Sequence, residues 1–195
     1  MAEYARSKEL HKTLRTVWDV TLKPLGFKRS KGSVASYYRT REDNNGFLRF
    51  WAQASQWGDS WSGNQFTLNI DVSIANPHAP FGDSDRFLGY LPQIELSKAE
   101  KIAELIIKRK PRPPSNHWIY REMESASEHS QFWKEAFARS FEYVPGKLRP
   151  ETDVWFPYFS VDDVKLWAEF LSGPIQIVLN RFERANKRLG EPLLP

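Results

Sequence analysis

Residues 47–75 read FLRFWAQASQWGDSWSGNQFTLNIDVSIA, and this stretch decides the fold. In its second half Phe66, Leu68, Ile70, Val72 and Ile74 alternate with Thr67, Asn69, Asp71 and Ser73. A strand points successive side chains to opposite faces, so a period of two gives one apolar face and one hydrogen-bonding face. On a helix the same five apolar residues would spread around the whole circumference. We read two strands, 47–57 and 65–75, joined by a loop at 58–64 that carries Trp61.

Outward from this ribbon, Leu10, Leu14, Val17, Thr21 and Leu25 recur at spacings of three and four with Trp18 beside them. That stripe predicts an amphipathic helix over about 7–24, with Lys8, Lys12 and Arg15 on the watered side. Pro24 lies in the last turn and Gly26 is placed to end it in a left-handed conformation. A basic turn at 28–32 leads to a strand at about 33–40, and Asn45-Gly46 is a strong hairpin signal. The expected class is therefore α+β: an N-terminal helix packed on an antiparallel meander of three to five strands, with a helical region following.

The segments 22–29 (LKPLGFKR), Tyr37-Tyr38-Arg39, 51–57 (WAQASQW) and 66–72 (FTLNIDV) resemble the bacterial family known as domain of unknown function 4304. The resemblance spans about residues 10–95. It implies the helix and sheet already read and carries no assigned activity. Asp71 stands where the family is expected to carry a glycine.

Beyond the sheet, Pro77, Pro80 and Gly82 mark 76–92 as an irregular connection. Ser97 and Glu100 have the spacing of a capping box, predicting a helix to about Lys108 with Ala99, Ile102, Ala103 and Ile106 inward. The run 108–114 (KRKPRPP) ends it, because consecutive prolines cannot continue a helix. We place a boundary here, with a sheet domain over 1–110 and a mainly helical extension over 111–195 packed on it. Within the extension, 116–120 is read as a short added strand and 127–142 as a helix. Ser160 and Asp163 cap a further helix at 161–171, and Pro174 starts the last one.

Composition bounds the function. The 195 residues bury a sizeable core without staples: a chain of this length hides roughly 70% of its unfolded surface. There is no cysteine, which excludes disulfides, thiolate metal sites and a cysteine nucleophile. No signal-peptide pattern and no run of membrane-spanning length is present, so a cytoplasmic protein is expected. The 13 Phe, 8 Trp and 7 Tyr point to a core or binding surface built from rings. Lys and Arg exceed Asp and Glu by 7 over residues 1–41, whereas the acids exceed by 5 over 42–97. Alternating blocks of this kind are neutralised within a fold more often than offered to an outside polyanion.

Motifs for chemistry are scarce. The sequence has no phosphate-cradling glycine loop, no Gly-x-Ser-x-Gly elbow and no His-Glu-x-x-His, so no cofactor or metal is expected. His11, His78, His117 and His129 are never three or four apart. Asp83-Ser84-Asp85 has donors for a divalent cation, but acidic loops of this sort are usually solvated turns.

One constellation stands out. Thr67, Asn69, Asp71 and Ser73 share the polar face with Arg49, Trp51, Gln53 and Ser55 of the preceding strand, with Trp57 and Trp61 at the loop end. This face is a wet surface with an Arg49–Asp71 cross-strand pair, a ligand groove, or a buried network. Three functions follow. The first is a non-enzymatic binding or accessory protein of the immunity or defence-associated type, recognising a protein partner through the sheet face and Trp loop: Arg49, Trp51, Gln53, Trp57, Trp61, Asn69 and Asp71. The alternative is a nucleic-acid binder using basic segments 8–31 and 108–112, with Lys28, Arg29, Lys31, Lys108, Arg109, Lys110 and Arg112 on phosphates and Trp stacking on bases. The third is a hydrolase or transferase involving Asp71, Asp83 or His117.

Overall fold

The computed structural model describes residues 4–41, 44, 46–56, 58, 63–74, 76–78, 84–141, 143, 148 and 155–186. Its first element, α1 (Ser7–Leu22), buries Leu10, Leu14, Trp18 and Leu22. The buried stripe thus runs strictly every four residues through the largest side chain, and Val17 and Leu25 pack at its margin. Pro24 turns Lys23–Leu25 into a 3-10 segment, and Gly26 at φ 80° closes it. Phe27 N–H then returns to Leu22 O at 3.1 Å, which seats the Phe27 ring in the core.

The sheet follows. β1 (Lys28–Arg29), β2 (Ser36–Thr40), β3 (Phe47–Ala54) and β4 (Asn64–Ser73) pair in chain order, all antiparallel. Both long strands are shorter than the sequence suggests, and Ile74, expected on the buried row, lies past the end of β4 and is 82% exposed. The outer edge of β4 is shared end to end. β5 (Asp85–Arg86) pairs with Asn69 and Ile70, and β6 (Phe156–Tyr158) pairs with 64–66. The β2–β3 turn is closed by Arg41 N–H to Gly46 O at 3.0 Å, with Asn44 at φ 57° and Gly46 at φ 104°. Asn45 lies outside the described residues.

Tyr37, Leu48, Phe50, Ala52, Phe66, Leu68 and Ile70 form the buried apolar face. α1 lies on it: the Trp18 ring sits 5.2 Å from Phe50, and its indole N–H donates to Ala168 O at 3.2 Å. Ala168 belongs to α5 (Val161–Ser172), opened by the predicted Ser160–Asp163 capping box. α6 (Ile175–Asn186) follows, and Arg39 of β2 donates to its Glu183 at 2.6 Å. β6, α5 and α6 therefore share one core with the first hundred residues.

Two elements differ from expectation. α2 spans Gln93–Arg109 and begins at Pro92, so Ser97 is one turn inside it, its hydroxyl bonded to Gln93 O at 3.2 Å rather than capping. Proline needs no amide at the first turn, and it fixes the start earlier than the serine signal. Residues 116–120 are not a strand. His117 accepts from Ile119 N–H at 3.3 Å and opens α3 (Trp118–Glu124). α3 and α4 (Ser130–Phe141) enclose a small second cluster around Ile119, Phe137 and Phe141. Among the described residues no helix is long and apolar enough to cross a membrane.

Candidate functional site

The register places Arg49 opposite Asp71, Trp51 opposite Asn69 and Gln53 opposite Thr67, so the sheet gathers five of the predicted site residues on one face. They bond chiefly to one another. Arg49 Nε donates to Asp71 Oδ1 at 2.7 Å and a terminal guanidinium nitrogen donates to Oδ2, a bidentate pair. The guanidinium also lies 5.8 Å from the Trp51 ring. Asn69 donates to Gln53 Oε1 at 3.2 Å, and Arg86 of β5 donates to Asn69 Oδ1. Trp57, Trp61 and Asp83 lie outside the described residues.

This face is not a wet surface. Arg49 is 4% exposed and Asp71 6%, with Asn69 and Thr67 buried beside them, so the buried-network reading holds for this group. Chain just past β4 and just before β6 lies against the face: His78 meets the Tyr38 ring at 5.2 Å, and Trp155 stands 5.9 Å from Arg86. Gln53 alone of the five remains exposed. It marks where the face opens.

The opening is a groove of about 590 Å³ at the end of β3, lined by Ser7 and His11 of α1, Val34, residues 51–55 and Ser84. It exists because β2 leaves β3 early. Their last paired residues are Ser36 and Trp51, whereas β3 stays paired with β4 to Ala54. Ala52 N–H still reaches Ala35 O at 3.0 Å, but the reciprocal Ala35 N–H is given to His11 Nδ1 at 3.3 Å. Arg15 draws the preceding chain further, donating to Ser33 O at 2.5 Å and Gly32 O at 3.4 Å. Two side chains of α1, four apart and on one helix face, thus divert the Ala35 amide and the carbonyls of Gly32 and Ser33, while Ala35 O stays bonded to β3.

His11 can accept from an amide only through an unprotonated Nδ1, so its ring proton sits on Nε2. Burial, and then the nearby Arg15 charge, hold its pKa below the ordinary histidine value. None of the described lining residues is Asp, Glu, Lys or Arg, but two guanidiniums border them: Arg86 lies 3.4 Å from Gln53 Oε1, and Arg15 bonds the carbonyls just before Val34.

The predicted basic residues are spread along the fold. Lys28 and Arg29 form β1, Arg29 lies 3.9 Å from Asp19, and Lys31 sits on the exposed turn beyond. At the end of α2 the cations are turned onto the chain itself. Lys108 bonds Glu104 at 2.5 Å, Arg109 bonds Asp163, Lys110 lies 4.2 Å over Phe141, and Arg112 lies 5.7 Å over Phe137. Asp85 accepts from Tyr90 Oη at 2.5 Å. Among the described residues no group of His and carboxylates could hold a metal ion.

Of the residues that carry the site, Ser7, Val34 and Arg86 are not singled out by the sequence, Arg15 reads only as facing water, and His11 and Ser84 only as possible metal donors. The four-residue spacing of His11 and Arg15 was a usable signal, but their targets are backbone atoms of a turn, which no side-chain pattern announces. Compared with known protein families, curated proteins and solved structures, the chain finds no match.

Proposed function

We propose that this chain is a non-enzymatic binding or accessory protein, of the immunity or defence-associated kind, that recognises a protein partner at the rim of its sheet. The groove at the end of β3 carries this reading. Its volume of about 590 Å³ falls within the ~300–1,000 Å³ typical of ligand sites. Its walls combine an indole edge with uncharged hydrogen-bonding groups, the mixture that supplies contact area and orientation together. Arg49, Asp71 and Asn69 act behind it as a scaffold: Arg49 and Asp71 hold each other, and Asn69 is held by Gln53 and Arg86. The partner therefore meets Gln53 and Ser55 at the rim rather than the ionic pair.

The test is native capture from a lysate followed by mass spectrometry, comparing the wild-type chain with a Gln53→Arg/Ser55→Arg double variant of matched stability. Loss of a specific protein by the variant supports the reading. Identical capture by both removes the rim from consideration.

A further inference from the structure

Ala35 and Ala52 form the next pair of the β2–β3 ladder, and half of it is made. The register that sets Tyr37 opposite Phe50 and Ser36 opposite Trp51 brings Ala35 to Ala52, where an antiparallel pair exchanges two bonds. Ala52 N–H gives the first to Ala35 O at 3.0 Å. The return bond, from Ala35 N–H to Ala52 O, is not made, because that amide donates to His11 Nδ1 at 3.3 Å. Both alanines are buried, so two acceptors compete for one amide away from water.

We propose that His11 is a proton-operated latch on the groove. While neutral it holds the Ala35 amide off the sheet. On protonation it yields that amide to Ala52 O, which extends β2 to Ala35 and draws Val34 toward Gln53 across the groove that both line. The switch belongs to the free chain, so it stands apart from the question of which partner the groove receives.

An imidazolium carries a proton on each nitrogen and accepts from nothing, so protonated His11 cannot keep this bond. The amide it releases is buried, and a buried N–H left unpaired is costly. Ala52 O is the acceptor that ladder geometry offers it. Arg15 limits the movement. Its guanidinium stays charged through the histidine range and holds Ser33 O at 2.5 Å and Gly32 O at 3.4 Å, so the chain turns at residues 34 and 35. The charges around the ring set the direction. Arg15 stands one turn along α1, Lys31 lies on the turn before Val34, and Arg86 reaches Gln53 on the opposite wall. All three are cations, and no Asp or Glu among the described residues lines the groove. Burial first, and Arg15 second, hold the ring below the ordinary histidine pKa of 6.5. The latch is therefore engaged at neutral pH and released in acid.

The test reads the hydrogen bond itself, by NMR of the isotopically labelled free chain. At about pH 7 the Ala35 amide nitrogen should show a coupling across the hydrogen bond to His11 Nδ1 and none to the Ala52 carbonyl carbon. As the ring titrates in acid, the first coupling should vanish and the second appear, both with the midpoint given by the ring's own carbon and proton shifts. His11→Phe has no acceptor and should show the acid pattern already at about pH 7, so the result does not require the wild type to survive acid. His11→Gln accepts through its amide oxygen and should keep Ala35 off Ala52 throughout. An Ala35 amide indifferent to ring protonation overturns the proposal. So does an amide that leaves His11 and exchanges faster with water, in the wild type or in His11→Phe, without gaining the Ala52 coupling.

Discussion

Arg49 and Asp71 stand directly opposite each other on β3 and β4, joined by two guanidinium–carboxylate bonds and almost wholly withdrawn from water. Taking two charges out of water is expensive, and their mutual attraction offsets this only while both are present. Asp71→Ala leaves a buried guanidinium without its carboxylate and should destabilise by about 3–5 kcal/mol in urea unfolding. The double variant Arg49→Met/Asp71→Leu should lose markedly less. A single variant costing under about 1 kcal/mol would show that water reaches the pair.

His11 makes stability depend on pH. Its folded-state pKa is lowered, by burial first and by Arg15 second, so below about pH 6.5 the unfolded chain binds the extra proton more readily. The contribution is present in full above that pH and is lost as pH falls toward the folded-state value. Protonation also removes the acceptor that holds Ala35 N–H. Melting temperature should therefore fall between pH 7 and 5 more steeply for the wild type than for His11→Gln, whose amide oxygen accepts without titrating. Parallel curves would exclude this role.

Gly46 closes the turn between β2 and β3 at φ 104°, and a methyl group there would approach Ser73 O to 2.5 Å and Ile74 Cα to 3.0 Å. Both contacts are backbone and neither can swing aside. Gly46→Ala should cost roughly 1–3 kcal/mol, a strain effect readable as a lower urea midpoint at constant slope.

Trp167 joins the last strand to the core by donating its indole N–H to Pro157 O at 2.7 Å while its ring packs 4.7 Å from Phe156. Trp167→Phe keeps most of the packing and strands a buried carbonyl, for about 1–3 kcal/mol. Trp167→Ala adds a cavity and should reach about 3–5 kcal/mol. Near-equal losses would mean that the hydrogen bond dominates.

The architecture was legible where one local signal acts alone. Alternation over Phe66–Ile70 fixed β4, the opposition of Arg49 and Asp71 followed from it, and Ser160 with Asp163 marked the start of α5. It was illegible where remote parts decide. Phe156–Tyr158 is too short to show a period, yet β4 recruits it from the far end of the chain. Ser97 has cap chemistry, but Pro92 begins that helix a turn sooner. Alternation alone leaves the polar face open among a wet surface, a groove and a buried network. Its burial comes with contacts from outside the strands, His78 just past β4 and Trp155 far along the chain, which strand periodicity cannot encode.

The proposed partner site lies where β3 outruns β2. Amide hydrogen exchange of the chain with and without its captured partner would locate it. New protection is expected only over residues 34–35 and 51–56 and the first turns of α1. Protection appearing instead over 108–112 or along α3 and α4, with 51–56 unchanged, would contradict it.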